Sequence, residues 1–136
     1  MPLGYYPRPG EILLCHYDRG AVAPEMVKTR PVVVVGPRLR RRAQLVTIVP
    51  LSTTEPMPPE AYHSLIELAV SLPPPFGSTR MWAKCDMVQS VALARLDRFR
   101  EARRQGQPRR WTTGAVSADQ LADIRRAILS GLGLDS

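Results

Sequence analysis

Three stretches of this sequence carry side chains that could do chemistry together. Arg30 stands before Pro31 and the run Val32 to Val35; Ser52, Thr53 and Thr54 close the run Leu45 to Val49; Trp82, Lys84 and Asp86 alternate through RMWAKCDMVQSV. A guanidinium is a permanent positive charge with a planar fork of donors. Hydroxyls orient or donate to a polar group, and an ammonium beside a carboxylate can give and take a proton. Taken alone, Lys84 and Asp86 read as a surface ion pair worth ~0–1 kcal/mol. They become a candidate catalytic pair only if the other groups stand nearby.

The elements that must position these groups are strands. The two β-branched runs read as buried strands, and the Gly36-Pro37 break with the basic turn Arg38 to Arg42 predicts that they pair antiparallel. Both polar ends then reach one rim of the sheet, and Arg30 meets Ser52 and Thr53. Glu11 to Asp18 predicts a strand entered by a turn at Gly10, with Leu13, Cys15 and Tyr17 on one face, and Tyr62 to Leu68 predicts another. At the two-residue period of a strand, Arg80 to Val91 turns Met81, Ala83, Cys85 and Met87 to the core and Trp82, Lys84 and Asp86 away from it. Asp18 to Thr29 reads as a long loop, Glu55 to Glu60 and Pro73 to Gly77 as proline-rich connections, and Arg95 to Pro108 as a basic loop or short irregular helix. Ser117 and Gln120 have capping-box spacing ahead of Leu121, Ile124, Ile128 and Leu132, with Gly131 and Gly133 as the stop. That predicts an amphipathic helix closing one side of a small barrel.

With 136 residues and 44% apolar content, the chain reads as one soluble domain, residues 1–136. Cys15 and Cys85 lack metal spacing and read as buried thiols of a reducing compartment, with a disulfide between them left open. The N-terminus has Pro and Gly where a secretory apolar segment would lie, and no apolar run approaches bilayer length; the expected location is the cytoplasm. The net charge is +7, carried by 17 Arg beside Lys28 and Lys84, which suits an anionic partner, although a genome rich in Arg codons would give the same bias. Gly-rich phosphate loops, paired-Cys zinc spacing and the Gly-x-Ser-x-Gly elbow are absent. His16 and His63 have no helical pairing that would make a metal site.

In order along the chain, PGEI at 9–12, Glu25 five positions before Arg30-Pro31, the valine run, Val49-Pro50 followed by Ser52-Thr53, Cys85-Asp86 and the C-terminal helix resemble the PemK/MazF (Kid) toxins of type II toxin–antitoxin systems. The WAKCDMV stretch is similar to the YifN-like branch of that family. The resemblance spans about Pro9 to Leu134 and implies a mainly β, SH3-like small barrel of the CcdB/PemK type with a C-terminal amphipathic α-helix. It further implies a homodimer, and a sequence-specific endoribonuclease that cleaves single-stranded RNA through 2′-hydroxyl attack without metal or other cofactor and is neutralised by a cognate antitoxin protein. Carried residue by residue, the family's arginine falls on Arg30, its hydroxyls on Ser52 and Thr53, its base on Asp86, its acid on Lys84 and an acidic loop residue on Glu25. Arg40, Arg41, Arg42 and Trp82 are the expected substrate contacts. The chain departs from the family pattern at Lys84, where arginine is usual, at Met87, where glutamine commonly follows the acid, at Met26-Val27-Lys28 in place of a more polar loop, and in the longer, more basic Arg98 to Arg110. Two rivals stand beside this reading: a non-catalytic barrel that holds nucleic acid or a peptide, which would not need Lys84 and Asp86, and a structural barrel with Arg30 in a salt bridge.

Overall fold

The computed structural model describes residues 3–17, 20 and 22–135. Its strands are β1 (Glu11–Cys15), β2 (Arg30–Val34), β3 (Leu45–Ser52), β4 (His63–Glu67), β5 (Arg80–Lys84), β6 (Gln89–Ala92), β7 (Leu96–Asp97), β8 (Phe99–Arg100), β9 (Trp111–Thr112) and β10 (Gly114–Ala115), followed by helix α1 (Ala118–Gly131). All strand pairs among the described residues are antiparallel, and the main path runs β10-β1-β2-β3-β5-β4. On its far edge β3 divides itself between two neighbours, pairing Leu45 to Ile48 with β6 and then Leu51 and Ser52 with β5. Pro50 falls between those two partners, where no N–H is needed for either ladder.

Because β2 is central, both of its faces are covered, which is why it reads as an unbroken valine run rather than an alternating one. Val33 and Val35 join Ile12, Val49, Leu51 and Ile124 in one apolar layer, whereas Val32 and Val34 join Leu13, Cys15, Tyr17, Ile48 and Val91 in another. Leu13, Cys15 and Tyr17 do share a face, and both cysteines are buried and in no disulfide; the end expected at Asp18 lies outside the described residues. At the far end of β2, a Cβ on Gly36 would stand 3.1 Å from Thr47 Cβ, and Arg125 donates from Nε and Nη2 to the Val35 carbonyl at 3.1 and 3.0 Å.

Helix α1 begins as predicted. Ser117 Oγ accepts from the Gln120 N–H at 3.1 Å, and the Gln120 side chain accepts from the Ser117 N–H at 2.9 Å, a reciprocal cap worth ~1 kcal/mol. Ile124 and Ala127 are its buried contacts. Leu132, expected on the apolar stripe, is instead 55% exposed, because it caps the helix beyond the last turn that packs.

Two further expectations are corrected. The strand predicted through Arg80 to Val91 breaks at Cys85–Met87, a single 3-10 turn, so Asp86 does not continue the Trp82–Lys84 face and Met87 packs in the second apolar layer, away from Met81, Ala83 and Cys85. The cause is the end of α1. A Cβ at Gly131 would approach Asp86 Cα to 3.0 Å and Asp86 N to 3.3 Å, so the helix lies directly on the turn. Arg95 to Pro108 likewise contains β7 and β8, and β8 returns as a hairpin with β9 rather than forming a loose basic loop.

Candidate active site

Cross-strand register decides which side chains meet. Val32 with Pro50 is the last pair of the β2–β3 ladder, and Ser52 pairs with Trp82; the same register continued two residues beyond that ladder aligns Arg30 with Ser52. Alternation then puts Arg30, Ser52, Trp82 and Lys84 on one face of the sheet. Arg30, Ser52, Thr53 and Thr54 line a cleft of about 290 Å³ together with Lys28, Thr29, Phe76 and Met81. Ser52 is 6% exposed, and its Oγ accepts from the Thr54 N–H at 3.1 Å, which leaves the hydroxyl proton free to point into the cleft.

The Arg30 Nε is buried with no hydrogen-bond partner. Among the described residues Arg30 is in no ion pair. A buried N–H left without an acceptor costs ~1–3 kcal/mol, a penalty that an anionic ligand would relieve. Tyr17, read from the sequence only as a core residue, lies on the same side, with its hydroxyl buried beside Cys15 and Gln89. Burial, helped by Cys15, pushes the Tyr17 phenol up beyond its usual range while Arg30 acts in the opposite sense. The period of β1 marks Tyr17, but only the β1–β2 pairing of Cys15 with Arg30 brings it to this rim.

The acids lie elsewhere. Glu25 and Asp86 share a second cleft of about 450 Å³ with Pro24, Met26, Met87, Val88 and Gln89. Both are exposed, so neither is held in a fixed low-dielectric setting. Gln89, which no sequence signal marked, joins Glu25 and Tyr17 in a third hollow of about 230 Å³. Lys84 is half-buried on the Arg30 face and pairs with His63. His63 accepts from the Glu60 N–H at 2.9 Å through Nδ1 and stands two strands, ~10 Å, from β3, too distant to serve Ser52 as a base. His16 Nδ1 is 3.1 Å from the Thr29 hydroxyl and its Nε2 is 3.8 Å from Asp97. Among the described residues no cluster of three His, Cys, Asp or Glu is arranged to hold a metal ion.

Arg40, Arg41 and Arg42 are exposed in the β2–β3 turn, at the opposite end of the hairpin from Arg30 and Ser52. Four residues of strand put them at least ~13 Å from the cleft. Arg38 there packs over the Tyr6 ring at 5.7 Å.

The antiparallel sheet closes with one C-terminal helix and carries a cation near hydroxyls at the end of its central hairpin. Residues 8–132 match the model of the PemK-like, MazF-like toxin of type II toxin–antitoxin systems, and the chain belongs to that family. It is 29% identical over 150 residues to the uncharacterised protein YifN of Escherichia coli K12, covering 97% of this chain and 95% of that one, in keeping with the YifN-like branch. A mycobacterial endoribonuclease solved with its cognate antitoxin has the same fold, at TM-score 0.62 and 18% identity over 96% of this chain and 98% of its own. So has the Mycobacterium tuberculosis toxin MazF-mt6, at TM-score 0.61 and 21% identity over 95% and 100%. The MazE–MazF complex of Deinococcus radiodurans contains a further example, at TM-score 0.57 and 19% identity over 96% and 99%. The SH3-like barrel expectation is therefore met. Among the described residues no helix is long and apolar enough to cross a membrane.

Proposed function

We propose that the protein is a metal-independent endoribonuclease that cuts single-stranded RNA through the RNA's own 2′-hydroxyl, and that a cognate antitoxin blocks it. The observation that carries this reading is Arg30: a cation at the rim of a cleft, its Nε buried without a partner and set opposite a buried serine. In the proposed step the 2′-oxygen loses its proton to a carboxylate and bonds to phosphorus. The bond from phosphorus to the 5′-oxygen breaks, and that oxygen takes a proton from a donor. Arg30 stabilises the charge gathered on the phosphorane, while the Ser52 and Thr53 hydroxyls orient the phosphate. Asp86 is the assigned base and Lys84 the donor, with Glu25 in the same cleft as Asp86 as the alternative base. As a single ammonium, Lys84 donates without the bidentate grip that an arginine would have there.

Family membership supports an antitoxin partner, and the relatives solved with antitoxins support the same assignment. The site itself favours an acidic segment that shields Arg30, in a cytoplasmic homodimer. Mass spectrometry of a short cleaved oligonucleotide tests the reaction: the expected products end in a 2′,3′-cyclic phosphate and a 5′-hydroxyl, and cleavage persists in EDTA. A 3′-hydroxyl product, or activity lost on chelation and restored by a divalent ion, would overturn it. Binding of RNA with no cleavage at any ionic condition would favour the binding-module alternative.

A further inference from the structure

Most of the positive charge lies away from the cleft in which the proposed reaction takes place. The stretch 98–110 holds six arginines against Glu101 alone, five of the seven net charges of the chain, and Arg38 to Arg42 holds four more with no acid. The remainder, Arg30 and its cleft included, sums to −2. A polyanion is therefore drawn first to these two hairpins.

The 98–110 stretch is a built element rather than a solvated charge run. Phe99 pairs with Thr112 and Arg100 with Trp111. The Glu101 N–H bonds the Arg110 carbonyl at 3.0 Å, the Gln107 N–H bonds the Arg104 carbonyl at 3.0 Å, and Gly106 turns the chain at φ +75°. Strand alternation gives the hairpin two unlike faces. Phe99 is 1% exposed and anchors the root in the core. On the other face the guanidiniums of Arg98 and Arg100 lie 5.9 and 5.3 Å from the centre of the Trp111 ring, each within cation–π range. Stacked in this way, they are held before any ligand arrives. Residues 102–110 are all exposed, and among the described residues none of the six guanidiniums is in an ion pair.

The root also adjoins the cleft. Phe99 meets Phe76 edge-on, with centroids 6.0 Å apart at 72°, and Phe76 lines the wall beside Arg30 and Ser52. One aromatic pair thus separates the arm from the proposed reaction site.

We infer that the β8–β9 hairpin is a second nucleic-acid site: an arginine arm that grips the phosphate backbone of single-stranded RNA without reading its sequence, beside the cleft in which one linkage is cut. This inference rests on the ribonuclease reading for its ligand. Planar guanidinium forks suit a backbone of regularly repeated phosphates. Such contacts also predict a salt dependence that grows with the number of phosphates neutralised.

The test is binding of fluorescent 2′-O-methyl RNA, which is blocked at the attacking oxygen, to the full chain across a salt series. One strand has about 20 nucleotides, longer than the ~4–16 that one small binding fold covers; the other is a tetranucleotide. In the quadruple variant Arg103→Gln, Arg104→Gln, Arg109→Gln, Arg110→Gln, the long strand should bind ~10²-fold more weakly at low salt, with a log–log salt slope smaller by about 3. The tetranucleotide should keep its affinity within a few fold. The matching four-lysine variant should recover most of the long-strand binding. Unchanged affinity and slope in the glutamine variant would overturn the arm, and so would a lysine variant as weak as the glutamine one. If the glutamine variant lost binding to phosphatidylglycerol vesicles or to polyglutamate while holding RNA as before, the ligand assigned here would be wrong. Because the strand cannot be cut, arm-dependent binding in a protein that cleaves no RNA would leave the arm standing and remove only the ribonuclease reading.

Discussion

The two clefts that offer groups to the proposed reaction are built by different means. In the first, Arg30 and Ser52 occupy adjoining strands, each two residues beyond Val32–Pro50, the last pair of the β2–β3 ladder, and β3–β5 pairing ties Ser52 to Trp82. In the second, Glu25 comes from a loop and Asp86 from a 3-10 turn, and no strand pairing joins them. The strands hold the cation and Ser52 through their register. The acids depend on neighbours, above all on the end of α1, where only a glycine fits against the Asp86 backbone. In the proposed reaction, charge stabilisation would fall to the strand-borne cation and proton transfer to the turn, so the two should respond to different substitutions.

The widest separation should come from the acids. Asp86→Asn should slow single-turnover cleavage by ~10²- to 10⁴-fold, the range for general acid–base catalysis, whereas Glu25→Gln should cost no more than about tenfold in the same range's terms. A reversed order would move the base to the loop. Arg30→Ala follows, with ~10²- to 10³-fold expected for removing one preorganised donor. The same pair of variants sharpens the contrast in binding. A 2′-O-methyl analogue should bind Arg30→Ala more weakly and Asp86→Asn as well as wild type or better, since the latter removes a negative charge.

Gly131→Ala addresses the neighbours directly. Helix propensity alone favours alanine by ~1 kcal/mol, but the methyl would crowd the Asp86 backbone at 3.0 Å, an overpacking that costs ~1–3 kcal/mol. The net expectation is a small loss of stability by urea titration, with cleavage lowered about tenfold by a displaced Asp86 and with Arg30-dependent affinity kept. Equal losses in rate and affinity would mean that the clefts are not independent.

The smallest effect concerns pH. Burial, with Asp86 adding to it, pushes the Cys85 thiol from 9.0 up to about 12, and burial with a hydrogen bond to Glu11 takes Tyr5 from 10.0 to about 12. Each group binds its proton more tightly when folded, so its contribution is complete below the unfolded pKa and is lost as pH rises toward 12. Thermal midpoints should therefore be flat near neutrality and fall from about pH 9 upward. Cys85→Ala should make the first part of that fall shallower; an unaltered profile would remove the thiol from the account.

The sequence made the ladder cleft legible because two β-branched runs joined by a Gly-Pro break and a basic turn predict an antiparallel hairpin, and any such hairpin brings its polar ends, Arg30 and Ser52, to one rim. The acid cleft was not legible in the same way. A two-residue period was extended from Lys84 to Asp86, but the contact of α1 with the turn is non-local and overrides the local pattern. Leu132 failed for a related reason: periodicity places a residue on a stripe without saying where the surface beneath it ends. The hairpin of β8 and β9 was hidden by its charge, since exposed arginines carry little strand pattern.

Four consecutive valines leave the central strand without an index of its own. With both faces of β2 buried, a shift of one residue against β1 and β3 would still set valine against apolar neighbours on either side, so the hydrophobic pattern that usually penalises a slip is silent here. The same slip would turn Arg30 to the opposite face and away from Ser52. What resists it stands at the other end of the strand. Gly36 passes Thr47 where a Cβ would stand 3.1 Å away, tighter than ordinary contact, so Val35 or Pro37 in its place would have to push Thr47 aside. Arg125 grips the carbonyl next to it. The cation is thus kept in phase by a glycine and a helix arginine at the opposite end of the strand from the cleft, much as a ruler is aligned by its far end.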